Sequence, residues 1–112
     1  MKKKDKELKL ILRIARKRLK RKDYKKIKQL EDISEVKHLM KYAVISSFEK
    51  EYYNLEKIID DMEKKSKDVF FAKNLVMILP SKIKFLKAHF IKEEFNKVIS
   101  LIKAIKKELK NV

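Results

Sequence analysis

The residues best suited to chemistry are the four arginines of the chain, which all lie between positions 13 and 21. Lysines surround them, so residues 1–28 contain 15 Lys and Arg against three Asp and Glu, a net charge of +12. Residues 29–112 contain 17 against 13, a net charge of +4. The guanidinium group of Arg contacts phosphate at two points, which the ammonium group of Lys cannot do. The first segment is therefore predicted to bind phosphate.

Most of these basic side chains lie away from the apolar stripe of the same segment on a helical wheel. A charged helix face is often only a solvated surface, but this concentration of charge exceeds what a small domain needs for solubility. The candidate phosphate ligands of this segment are Arg13, Arg16, Lys17, Arg18, Lys20 and Arg21.

The net charge of +16 on the whole chain favours a polyanionic partner. Nucleic acid is our first interpretation, with an anionic membrane surface or an acidic protein as the weaker alternatives. The choice between RNA and DNA stays open, because Gln29 is the one base-reading amide near the basic segment. We expect contacts to backbone phosphates. Tyr24, Tyr52 and Tyr53 could stack on bases, but aromatic residues at helical spacing belong more often to a core.

Several missing residue types exclude whole classes of function. With no Gly, the chain cannot form a glycine-rich phosphate loop, and with no Cys it cannot form disulfides, zinc fingers or thiol nucleophiles. The two histidines, His38 and His89, are interpreted as surface residues. The acidic pairs at 60–61 and 93–94 are interpreted as helix-end charges, not metal ligands. We therefore expect no enzyme activity, no cofactor and no metal.

The length of 112 residues predicts a single domain. Charged residues interrupt the start of the chain every two or three positions, which is unlike a signal peptide. No uncharged run approaches the roughly 20 apolar residues of a membrane span. We therefore expect a cytoplasmic protein without a membrane partner.

Helices are the expected elements, because the chain has no Gly and one Pro. A first, strongly basic helix is predicted from about Asp5 to Lys28, since Leu8, Ile11, Ala15 and Leu19 form one stripe. Leu12 extends that stripe, which Tyr24 and Ile27 continue less regularly.

Two capping patterns and one proline predict the later boundaries. Asp32 and Ser46, each followed three residues later by Glu, predict the starts of a second and a third helix. Residues 69–79, almost wholly apolar, predict a central helix buried on all sides, with a kink or break at Pro80. A last helix is predicted from about Glu93 to Lys110.

Together these elements predict an all-α fold, a compact bundle of five to six helices in one domain (residues 1–112). Its parts are the basic helix (1–28) and the helical bundle (31–112). Three methionines at core spacing are predicted to pack inside it: Met40, Met62 and Met77.

The segment from Ile45 to Ile58 resembles a signature of the small subunit of type III-A CRISPR–Cas effector (Csm) complexes. That signature has a Ser/Thr-rich cap, then a basic residue, then an aromatic–Asn–acidic helix. An apolar helix ending in the turn Leu79–Phe85 and a closing helix over Phe95–Leu109 also fit, so the resemblance covers residues 34–109. This chain has Lys50 where the family has Arg, and it lacks the Arg expected after Phe85.

The resemblance implies a non-catalytic structural subunit of an antiviral ribonucleoprotein. Such a subunit stacks in several copies along the complex, beside other effector subunits, with a basic surface toward the guide–target RNA. Lys50 would take the family's basic position. Three further lysines would extend this surface: Lys82, Lys84 and Lys87. The alternative function is a basic DNA-binding architectural or regulatory protein.

Overall fold

Five helices and their short connections form the chain in the computed structural model, which describes residues 2–112 and the side chains from Lys6 onward. Residues 2–112 contain no β-strand. None of their helices is both long and apolar enough to cross a lipid bilayer. The helices are α1 (Lys2–Arg18), α2 (Arg21–Lys28), α3 (Ile33–Lys64), α4 (Phe70–Ala88) and α5 (Lys92–Lys110).

The predicted basic helix over residues 5–28 is divided in two, so the prediction of one helix was wrong. α1 ends at Arg18, and Lys20 adopts an extended conformation (φ −62°, ψ 143°) before α2 begins. The step from Leu19 to Tyr24 is five residues, which puts Tyr24 off the stripe of a straight helix. The break allows Tyr24 to be buried, with 7% of its surface exposed.

The predicted second and third helices are one continuous helix, α3. Its start was predicted correctly, because the Asp32 carboxylate accepts hydrogen bonds from the backbone N–H groups of Ser34 (2.9 Å) and Glu35 (3.4 Å). No helix starts at Ser46. The buried residues Val44 and Phe48 carry the apolar stripe through this region, and nothing there breaks the backbone hydrogen bonding.

The length of α3 gives the protein its elongated shape. Its 32 residues span about 48 Å at the usual rise of an α-helix. The whole structure measures 55 × 25 × 18 Å, with a radius of gyration of 16.2 Å. A spherical domain of this size would have a radius of gyration of about 13 Å. The predicted bundle is therefore a long one, and the term compact does not describe it.

α4 departs from its prediction in two ways. It continues without interruption through Pro80, since buried residues on both sides of the proline hold the two halves in the bundle. It is also an outer helix. α3 and α5 pack on one face of it, and the other face exposes large apolar side chains, including the predicted core residue Met77. Five residues face the core: Ala72, Val76, Leu79, Ile83 and Leu86.

One continuous core joins the helices. Phe48 of α3 is completely buried, and its ring centroid lies 5.9 Å from that of Phe95 in α5. α5 matches its prediction to within a residue at its start. Met40 is buried and Met62 packs partly against the core, as predicted. Each helix thus contributes an apolar face to a single domain-sized core.

Replacing Pro80 with Ala should stabilise the protein. Pro80 is exposed in the interior of α4, where it removes one backbone hydrogen bond and strains the preceding turn. We expect the free energy of unfolding of Pro80→Ala, measured by urea denaturation, to rise by about 2 kcal/mol. Ser100→Ala, at an exposed position of α5, is the control and should change it by only about 0.5 kcal/mol. Equal effects of the two substitutions would contradict the strain at Pro80.

Candidate nucleic-acid interface

The break between α1 and α2 creates two basic clefts, one on each side of α2, and Leu19 lines both. The first, here called the α2–α3 groove, has a volume of about 630 Å³ and lies between α2 and the middle of α3. Four cations and one acid line this groove: Arg18, Lys20, Lys26, Lys50 and Asp23.

Arg18 forms the wall of the groove and also ties α1 to α3. Its Nε donates to the Ser47 hydroxyl (2.8 Å), and its Nη2 donates to the Ser47 carbonyl (3.0 Å). The guanidinium carbon lies 4.2 Å from the centre of the Phe48 ring, which is a cation–π contact. Burial lowers the pKa of Arg18, and the charge of Glu51 opposes that effect. Arg18 therefore has a structural role as well as a place in the groove.

The second cleft, here called the α1–α2 pocket, has a volume of about 510 Å³. The Tyr24 ring forms its floor, with the guanidinium carbon of Arg16 5.6 Å and the Nζ of Lys28 5.7 Å from the ring centre. No acidic residue lines it. Among the described side chains, no carboxylate lies within 4.0 Å of any of its cations. These cations are Arg16, Arg21, Lys25 and Lys28.

The Tyr24 hydroxyl is buried beneath this pocket. It is the one buried side-chain polar atom among the described residues that has no hydrogen-bond partner. Burying an unpaired hydroxyl costs free energy. The ring is held by its apolar packing and by the two neighbouring cations.

The structure separates the predicted site residues into three groups. Arg18, Lys20 and Lys50 share the α2–α3 groove, and Arg16 and Arg21 share the α1–α2 pocket. The others line neither cleft: Arg13 and Lys17 are exposed on α1, while Lys82, Lys84 and Lys87 lie on α4.

Sequence reasoning missed four residues of the clefts. Lys25, Lys26 and Lys28 contributed to the counted charge, but a wheel drawn for one straight helix could not group them. Tyr42 lines the α2–α3 groove with 67% of its surface exposed. The five-residue step from Leu19 to Tyr24 was the signal that could have revealed the break.

The other candidate residues lie outside the clefts. His38 and His89 are both exposed, as predicted. Within the described part of the chain, no group of three or more His, Cys, Asp or Glu could hold a metal ion. Of the tyrosines considered for stacking, Tyr24 is buried, Tyr52 is partly buried and Tyr53 is exposed.

Comparison with protein-family models, curated proteins and solved structures found no match to this chain. The charges and geometry of the clefts are consequently the observations that bear on function. The resemblance of residues 34–109 to a CRISPR effector subunit stays a prediction.

Arg18→Lys should destabilise the protein although it keeps the positive charge. Lysine cannot reproduce the two hydrogen bonds to Ser47 together with the planar contact on Phe48. We expect the free energy of unfolding to fall by about 2 kcal/mol in urea denaturation. Arg13→Lys, at an exposed position of the same helix, is the matched control and should change it by less than about 0.5 kcal/mol. Similar losses in both variants would contradict the structural role of Arg18.

Tyr24→Phe should not weaken the fold. The substitution removes a buried hydroxyl that has no partner and keeps the ring, so we expect the free energy of unfolding to rise by about 1 kcal/mol. Tyr53→Phe, which removes an exposed hydroxyl, should leave it unchanged. Thermal denaturation of both variants provides the measurement, and a lower melting temperature for Tyr24→Phe would show that the hydroxyl is paired.

Proposed function

We propose that this protein is a non-catalytic RNA-binding structural subunit of a type III CRISPR ribonucleoprotein. Its two clefts beside α2 would hold RNA phosphates. One observation carries the proposal: the α1–α2 pocket has four cations, no acidic lining residue and no ion pair among the described side chains. Cations left without counterions in a concave site favour a polyanion.

The acids of the protein support this interpretation by where they form ion pairs. Glu7 contacts Lys37 (3.4 Å) and Lys41 (3.5 Å), and the hydrogen bond and charge of Lys37 lower the pKa of its carboxyl group. The other acids in ion pairs lie on α3 and α5: Glu51, Glu63 and Glu94. None of these pairs uses a cation of either cleft. The cations of the α1–α2 pocket are thus available to a ligand, and the α2–α3 groove keeps more cations than its one acid, Asp23.

A single strand is the nucleic-acid form that fits the α2–α3 groove best. Tyr42 presents an exposed ring in the same groove as Lys20 and Lys50. Basic grooves with exposed aromatic rings suit single strands, because bases stack on the rings while the cations contact phosphates. The buried ring of Tyr24 has no such use, so the α1–α2 pocket would contact phosphate alone.

Lys50 links this interpretation to the CRISPR context. The resemblance implies that Lys50 contacts RNA, and Lys50 lies in the same groove as Arg18 and Lys20, which were chosen by charge alone. Guide or target RNA and the other effector subunits are therefore the proposed partners. Duplex DNA, bound by an architectural or regulatory protein, is the alternative, since phosphate contacts do not distinguish the two.

The salt dependence of binding tests the electrostatic part of this proposal. About six phosphate contacts to a single strand give a slope near −4 for log K against log salt. We expect several-hundredfold weaker binding of single-stranded RNA in 200 mM than in 50 mM salt, as measured by fluorescence anisotropy. RNA duplex and DNA of equal length are the comparison ligands. Tighter binding of duplex DNA would favour the alternative, and no binding to any of them would overturn the proposal.

The double variant Arg16→Gln, Arg21→Gln should weaken RNA binding much more than the double variant Lys84→Gln, Lys87→Gln. Both remove two positive charges, but only the first pair lies in the α1–α2 pocket. We expect a loss of roughly tenfold or more for the first and about twofold for the second at 100 mM salt. Circular dichroism should show that both variants fold. Equal losses would mean that overall charge, or a surface extending to α4, governs binding.

A further inference from the structure

The outer face of α4 carries a regular pattern that the proposed function does not use. Large apolar residues recur every seven positions at Phe71, Ile78 and Phe85, and all three are exposed. A second exposed row consists of small or polar residues with the same spacing, three positions further on: Asn74, Ser81 and Ala88. Rows separated by three and four residues form the contact seam of helices that pair along their length.

This face is complementary to itself when two copies run antiparallel. With a two-fold axis between positions 79 and 80, Phe71 of one copy lies opposite position 88 of the other. Position 78 then lies opposite 81, and 85 opposite 74. Every large residue thus meets a small one, which is how facing layers interdigitate. A parallel pair in register would instead set Phe71 against Phe71. We propose that α4 is the interface of an antiparallel, two-fold symmetric dimer of this chain.

The polar residues of the seam are suited to burial. The side-chain amide of Asn74 donates to the carbonyl of Phe70 in its own helix (2.8 Å), and the Ser81 hydroxyl donates to the carbonyl of Ile78 (2.9 Å). Burial of a polar group is costly mainly when the group is left unpaired. Both side chains therefore bring a hydrogen bond with them into the interface.

The exposed apolar area is enough for a dimer of modest affinity. Phe70 (66% exposed), Phe71 (71%), Met77 (70%), Ile78 (44%) and Phe85 (55%) belong to this face. Together they expose roughly 600 Å², since an aromatic side chain offers about 200 Å². Two copies would bury about 1,200 Å², the lower limit for a specific interface.

A recess in this face matches the predicted contacts. Ser81, Phe85 and Ala88 line a cavity of about 370 Å³ with Lys84, and its surface is almost wholly apolar. In the antiparallel arrangement this recess receives Phe71 of the second copy. The lysines beside the seam also avoid one another, because Lys82 and Lys84 of one copy lie across from Leu75 and Met77 of the other copy in that arrangement.

The charge of the protein gives the dimer a characteristic salt dependence. Each copy carries a net charge of +16, so the two copies repel each other and salt screens the repulsion. Higher salt should therefore strengthen the dimer while it weakens nucleic-acid binding. This opposite response separates the inference from the proposed function, on which it does not depend. A two-fold contact also closes on itself, whereas the resemblance implies stacking in several copies along the complex.

Sedimentation equilibrium of the full chain, without nucleic acid, tests the dimer. We expect a monomer–dimer equilibrium with a dissociation constant in the micromolar range that decreases between 100 mM and 500 mM salt. Ile78→Glu should raise the constant roughly 30-fold or more, because it puts a charge at the centre of the seam. Ser100→Glu, an equal charge change at an exposed position of α5, should lower the constant or leave it unchanged. A monomer at all concentrations and salts would overturn the inference, as would equal effects of the two variants.

Disulfide cross-linking tests the antiparallel register, because the natural sequence has no cysteine. Positions 71 and 88 are about 25 Å apart along α4. A mixture of Phe71→Cys and Ala88→Cys chains should form cross-linked heterodimers under mild oxidation, whereas neither variant alone should cross-link. Cross-linking of each variant with itself would show a parallel pair and overturn the proposed arrangement. No cross-linking in the mixture, with dimers still present by sedimentation, would overturn it as well.

Discussion

The contact of Arg18 with Ser47 and Phe48 is the constraint on which the basic region depends. α1 ends at Arg18, and the same guanidinium group that bonds to α3 also lies over the most buried aromatic ring of the core. This fixes where the chain leaves α1, and therefore where α2 and its lysines lie. The many like charges of this segment repel one another, so without this contact their separation would lower the free energy of the chain. The core thus holds together a charge distribution that works against it.

The two clefts combine this fixed geometry with charge that remains available. The four acids that form ion pairs in the described part of the chain do so on the surface away from the clefts, and such pairs contribute little to stability individually. The positions of these ion pairs matter more than their energies, because none of them neutralises a cation of the α1–α2 pocket. The cost of keeping four cations close together is modest in water and decreases with salt. A polyanion would remove that cost on binding.

The sequence was sufficient to predict a helix and its ends where capping residues, the apolar stripe and terminal charges all indicated the same boundaries. α5 was predicted almost completely, since its acidic start, its apolar stripe and its basic end all indicate the same helix. At Ser46 a local capping pattern competed with a continuous apolar stripe, and burial of Phe48 decided the outcome. The outer position of α4 could not be predicted, because composition does not reveal how many helices pack against an apolar segment. In the candidate site, charge counting selected the segment whose residues line both clefts. The structural role of Arg18 depends on a residue 29 positions later in the chain, which no local pattern indicates.

The unbroken α3 connects the two proposed binding surfaces, the α2–α3 groove and the outer face of α4. The α2–α3 groove is lined by residues of α3, and α4 packs on α3 through the shared core, with an ion pair between Glu63 and Lys73 (3.0 Å) at its surface. No flexible linker separates the two surfaces, so their relative orientation is constant. In a two-fold pair, the basic regions of both copies would be held at one distance and one angle. Avidity would then select for polyanions whose own shape presents phosphates at that spacing, and base sequence would have little influence.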